Sequence, residues 1–120
     1  MPKEGKTFIS VNLALSYSQL NKKVLLLGFD IRNPKLSSLI QNINANTGIT
    51  NYLVSDDDSI KKYIQKSELG IDIISSGVVP PNPTELLTSS KINSIFEQLE
   101  KEYDYIIVDT APIAIVSDTL

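Results

Sequence analysis

Gly5-Lys6-Thr7 is the first group of residues in the sequence whose types and spacing could do chemistry. A glycine followed by lysine and a hydroxyl residue at a helix start is the closing part of a phosphate-binding loop. In such a loop, backbone N–H groups of the turn and of the helix N-terminus surround phosphate oxygens. The lysine reaches the outer oxygens and the Thr hydroxyl binds Mg²⁺. Read this way, Pro2, Lys3, Glu4, Gly5, Lys6, Thr7 and Phe8 form the nucleotide-binding stretch, with Lys6 as its reactive cation. The first glycine of the full G-x-x-x-x-G-K-[ST] pattern would precede Met1, so the reading depends on residues farther along the chain.

Two acids lie at fitting distances. Asp109 comes directly after the apolar run Ile106-Ile107-Val108, where a strand-end carboxylate holds Mg²⁺, usually through water. Asp30 comes after Val24-Leu25-Leu26-Leu27 in an equivalent position. Parallel strands bring their carboxyl ends to one edge of a sheet, which is where ligands bind in open α/β domains. Thr7, Asp30 and Asp109 are therefore the expected metal set, and Lys6, Asp30 and Asp109 the expected catalytic set. The chemistry these residue types suit is the handling of MgATP.

Positioning them requires alternating helices and strands. Over residues 7–20, Ile9, Leu13, Tyr17 and Leu20 recur at helical spacing, with Val11 and Leu15 beside them. Residues 23–28 form a nearly continuous apolar run, as expected of a parallel strand covered on both faces. Pro34 breaks the chain before a short apolar segment at residues 36–40. Residues 48–54 suit a short helix. Asp56-Asp57-Asp58-Ser59 is expected to cap a helix bearing Ile60, Tyr63 and Ile64, a reading preferred here to a metal site. Residues 71–74 read as a second strand. Asn82-Pro83-Thr84-Glu85 carries a cap, a first-position proline and a glutamate three residues on, so a helix is expected to begin there. Ile92, Ile95, Phe96, Leu99 and Tyr103 outline a longer amphipathic helix, and residues 105–109 the third strand. The pattern is that of a single α/β domain with a mainly parallel central sheet. Both ends are expected to continue: such a loop is fed by a buried strand, and the sequence stops just past an apolar strand at Asp118-Thr119-Leu120.

Composition narrows the chemistry. The 120 residues suit one domain, and 42% apolar content suffices for a core. A net charge of -3 supplies no basic field for nucleic acid or an anionic membrane surface. With no Cys and no His, a thiol nucleophile, a Ser-His-Asp triad and a His/Cys metal site are excluded. No apolar run is long enough to cross a bilayer as a helix, and the N-terminal residues do not resemble a signal peptide.

Three stretches together resemble one family. Residues 23–36, containing Val-Leu-Leu-Leu-Gly-Phe-Asp-Ile-Arg-Asn-Pro, look like the second Walker-type motif (apolar run, then D-x-D-x-R-x-P) of the bacterial tyrosine autokinases that regulate capsule and exopolysaccharide export. Residues 77–87, with Pro80-Pro81-Asn82-Pro83-Thr84-Glu85-Leu86-Leu87, resemble that family's G-x-x-P-P-N-P-x-E-L-L stretch, the most specific of the three. Residues 105–118 are similar to its Walker B segment; septum-site and partition ATPases share the less specific motifs. The resemblance implies a three-layer P-loop NTPase fold and transfer of the ATP γ-phosphoryl group to tyrosines of neighbouring copies. It also implies ATP and Mg²⁺ as cofactors, a ring-forming homo-oligomer, a transmembrane polysaccharide co-polymerase region in the same or a partner chain, no nucleic-acid partner, and a location at the cytoplasmic face of the bacterial cell membrane. Arg32 is then either a phosphate-edge contact or a packing and oligomer salt-bridge residue. Two positions depart from the pattern: Gly28 stands where the family usually has the first aspartate of D-x-D, and Ala111 replaces the first proline after Walker B. Tyr17, Tyr63 and Tyr103 read as structural. Alternatives within the same fold are a partition-type or septum-positioning ATPase, and a non-catalytic ATP-sensing domain for which Gly28 speaks.

Overall fold

The computed structural model of the chain describes residues 3–29, 40–82, 89–110 and 114–118, with residues 3–8 and 114–118 described by their backbone. The elements in order are α1 (Lys3–Ser18), β1 (Val24–Gly28), α2 (Ile49–Val54), a 3₁₀ turn (Ile60–Tyr63), β2 (Gln65–Lys66), β3 (Asp72–Ile74), α3 (Lys91–Leu99), β4 (Tyr105–Asp109) and β5 (Ala114–Asp118). The sheet order is β2-β3-β1-β4-β5. The central β3, β1 and β4 are parallel, while β2 and β5 run antiparallel to their neighbours at the two edges.

β1 lies centrally because Val24-Leu25-Leu26-Leu27 offers apolar side chains to both faces, and all five of its residues are buried. Strand alternation divides the core in two. Leu26, Ile73 and Ile107 face α1 and pack with Val11 and Ala14. Leu25, Leu27, Ile74, Ile106 and Val108 pack on the other face with Ile49, Tyr52 and Leu53 of α2 and Ile95 and Leu99 of α3. Helices thus cover both faces, which gives the three layers expected.

In the turn after α1, Asn21 adopts a left-handed φ of 62°, a conformation asparagine tolerates better than most residues. α2 is anchored to the loop after β3: Ser75 and Ser76 carbonyls accept from the N–H groups of Ile49 and Thr50, both at 2.9 Å. A Cβ on Gly48 would collide with the Ser75 carbonyl, so glycine is required there by close approach. At the other end of α2, Lys91 Nζ donates to the carbonyls of Tyr52 and Ser55, both at 2.8 Å.

Four details differ from the sequence reading. α1 starts at Lys3, so Lys3, Glu4 and Gly5 belong to its first turns and not to a loop before it; one glycine costs a helix only about 1 kcal/mol. The segment after the aspartate run is a single 3₁₀ turn capped by Ser59, whose hydroxyl accepts from the Lys61 N–H. Asp57 is engaged by its neighbours: Lys62 and then the Tyr63 hydroxyl hold its carboxyl below the usual range. Tyr103 lies beyond α3, which stops at Leu99, and the tyrosine folds back into the core. Finally, β5 is antiparallel, since the four residues between Asp109 and Ala114 are too few for a parallel crossover. The helix expected from Asn82-Pro83 and most of the segment at residues 36–40 lie outside the described residues.

Candidate nucleotide site

Two contacts fix the direction of α1. Near its N-terminal half, Ser10 Oγ donates to Asp109 Oδ1 at 3.1 Å; near its C-terminal end, the Tyr17 ring stacks on that of Tyr105 at 4.3 Å between centroids. Asp109 and Tyr105 are the last and first residues of β4. α1 therefore runs antiparallel to β4, and its N-terminus lies at the carboxyl edge of the parallel strands. Lys6 and Thr7 precede Ser10 by about one helical turn, so their backbone belongs to that edge.

At this edge, β1 and β4 end side by side. Gly28 and Asp109 are Cα partners, and the Phe29 N–H donates to the Asp109 carbonyl at 2.9 Å. Alternation from Leu26 and Ile107 assigns both residues to the α1 face. Asp109 is only 1% exposed. In the loop after β3, Ser76 Oγ donates to the Gly28 carbonyl at 2.8 Å, and the neighbouring Ser75 hydroxyl is buried with no hydrogen-bond partner among the described residues. Continuing the alternation of Ile71 and Ile73 assigns Ser75 to the α1 face as well. A buried carboxylate, serine hydroxyls and a helix N-terminus thus share one edge. Hard oxygen donors of this kind suit Mg²⁺, and the orphaned Ser75 hydroxyl is a group that bound water could satisfy.

Of the residues singled out from sequence, Asp109 is at this edge, and Lys3, Glu4, Gly5, Lys6, Thr7 and Phe8 lie in the first turns of α1 that approach it. Pro2, Asp30 and Arg32 lie outside the described residues. Ser10, Ser75 and Ser76 were not anticipated. For Ser10 a signal existed: a small hydroxyl residue one turn after Thr7, within an apolar stripe.

The profile of a family described as AAA domain matches residues 4–117. The chain belongs to that family. The chain is 42% identical over 117 residues to the tyrosine-protein kinase CpsD of Streptococcus pneumoniae, covering 98% of this chain and 52% of that kinase. Among solved structures, the kinase domain of the Escherichia coli tyrosine kinase ETK superposes with a TM-score of 0.83 at 37% identity, over 92% of this chain and 43% of that one. The septum site-determining protein MinD of Pyrococcus horikoshii, complexed with Mg-ADP, superposes with a TM-score of 0.72 at 22% identity, over 93% of this chain and 45% of that one, a likeness of fold. The resemblance to bacterial tyrosine autokinases and the P-loop α/β class are thereby borne out. This AAA-family chain spans about half the length of the streptococcal kinase it matches.

Proposed function

We propose that this AAA-family domain binds MgATP at the carboxyl edge of its parallel strands and serves in an ATP-dependent protein tyrosine autokinase of capsule or exopolysaccharide synthesis. The observation that carries the reading is the buried Asp109 carboxylate, tied to α1 at the strand edge that the N-terminus of α1 approaches. The kinship with proteins named tyrosine-protein kinases supports the choice of reaction.

In this reading, the N-terminal N–H groups of α1 and Lys6 bind the phosphate oxygens. Thr7, Asp30 and Asp109 hold the Mg²⁺, which when bound neutralises charge on the phosphates. Asp30 accepts the proton of the acceptor tyrosine and Arg32 contacts the phosphate edge. The location at the inner face of the membrane, ring assembly and a transmembrane co-polymerase partner belong to the same proposal. Gly28 favours a second reading, an ATP-sensing domain with little phosphoryl transfer, because a carboxylate is missing where the related pattern has one.

The test is autophosphorylation of the full-length protein at saturating MgATP, wild type against Asp30→Asn. A fall of at least ~100-fold with modest loss of MgATP binding is expected for a positioned acid/base group. A mutant of near-normal rate removes Asp30 from the chemistry, whereas a wild type that binds MgATP without forming phosphotyrosine supports the sensing reading.

A further inference from the structure

We propose that Ser10 is a positioning residue, whose hydroxyl orients the Asp109 carboxylate for the metal and couples the helix carrying Lys6 and Thr7 to the strand carrying the acid. The inference rests on the MgATP reading of this edge. Its observation is the contact between Ser10 Oγ and Asp109 Oδ1 at 3.1 Å, joining residues 99 apart in sequence.

The surroundings make packing alone a poor reason for a hydroxyl at this position. Ser10 is fully buried, and the next buried residues along the same helix, Val11 and Ala14, are apolar. Alanine would fill nearly the same volume without a polar atom to satisfy. Ser16 and Ser18 of the same helix donate to the Asn12 carbonyl at 2.9 Å and the Leu15 carbonyl at 2.7 Å, the local bonds that helix serines usually make. The Ser10 hydroxyl reaches a neighbouring element and meets a carboxylate that is itself 1% exposed.

The contact holds one carboxylate oxygen toward α1. It also sets the spacing between β4 and the turn of α1 that holds Thr7, so the two halves of the expected metal site are held in one arrangement before the ion arrives. Groups that orient a metal ligand from behind typically change metal affinity or activity by about 10- to 100-fold when removed.

The experiment uses the full-length protein and follows Mg²⁺ titrations of fluorescent ATP-analogue binding, alongside thermal melts in EDTA, for wild type, Ser10→Ala, Ser10→Thr, Asp109→Asn and the double variant Ser10→Ala/Asp109→Asn. The expected result is a Mg²⁺ midpoint raised about tenfold in Ser10→Ala, analogue binding in EDTA unchanged, recovery in Ser10→Thr, and no further shift when Ser10→Ala is added to Asp109→Asn. A Ser10→Ala protein with a wild-type Mg²⁺ midpoint, whatever its melting temperature, overturns the positioning role. Additive shifts in the double variant overturn it too, since they would mean that Ser10 acts independently of Asp109. If Asp109→Asn itself leaves the Mg²⁺ midpoint unchanged, the metal reading of Asp109 fails, and the inference with it.

Discussion

Gly28 and Asp109 stand side by side at the carboxyl edge of the sheet, paired in the parallel register of β1 and β4 and assigned to the face that α1 covers. Where the related sequence pattern sets an aspartate, this chain has no side chain next to its buried carboxylate. Neighbouring strands lie about 4.8 Å apart, so an acid at position 28 would share a site with Asp109.

Gly28→Asp is therefore expected to make stability depend on Mg²⁺. Without the ion, two buried carboxylates repel and one must take up a proton, which destabilises the fold. With the ion, both are compensated. Melting temperatures of the variant in EDTA and in excess Mg²⁺ should differ by clearly more than those of the wild type; equal differences would place residue 28 away from the metal.

Tyr103 gives a prediction about pH. Its hydroxyl donates to Asp72 Oδ2 at 2.6 Å, and Lys66 Nζ pairs with the same oxygen at 2.8 Å. Burial, and then that bond to Asp72, push the phenol above its ordinary value. The folded protein keeps the proton where the unfolded chain, titrating near pH 10, has lost it. This contribution is complete below about pH 10 and declines as pH rises further. Tyr103→Phe should lose about 1 kcal/mol at neutral pH and show a flatter decline between pH 10 and 11 in urea melts. An alkaline decline as steep as the wild type's would assign it to other groups.

Gly48→Ala tests the join between α2 and the strand edge. Its φ of 172° is extended backbone open to any residue, so the penalty comes from the collision with the Ser75 carbonyl. A destabilisation of about 1–3 kcal/mol, in the range of overpacked cores, is expected. Unchanged denaturant midpoints would mean that the loop after β3 yields freely.

How much could be read in the sequence depends on which interactions are local. Val24-Leu25-Leu26-Leu27 and Ile106-Ile107-Val108 are apolar enough to require burial on both faces, so β1 and β4 were legible, as was Asp109 at the end of β4. The two-residue strand Gln65–Lys66 carries no apolar pattern, and it exists because β3 offers it an edge. Tyr103 continued the helical spacing, yet tertiary packing drew it into the core after the helix had ended. The role of Ser10 is not local, because its partner lies 99 residues away in sequence. The site's acid could be found from a pattern, whereas the group that orients it needed the fold.

The most direct test of the MgATP site is a titration of the full-length protein with a fluorescent ATP analogue, with and without Mg²⁺, comparing wild type, Lys6→Ala and Asp109→Asn. Lys6→Ala should bind at least about tenfold more weakly, as for a lost hydrogen bond to a charged group, while its melting temperature stays close to the wild type's. Asp109→Asn should retain metal-free binding and show a weakened Mg²⁺-dependent gain, with its midpoint at higher Mg²⁺. Wild-type affinity in Lys6→Ala together with an intact Mg²⁺ gain in Asp109→Asn would contradict the account.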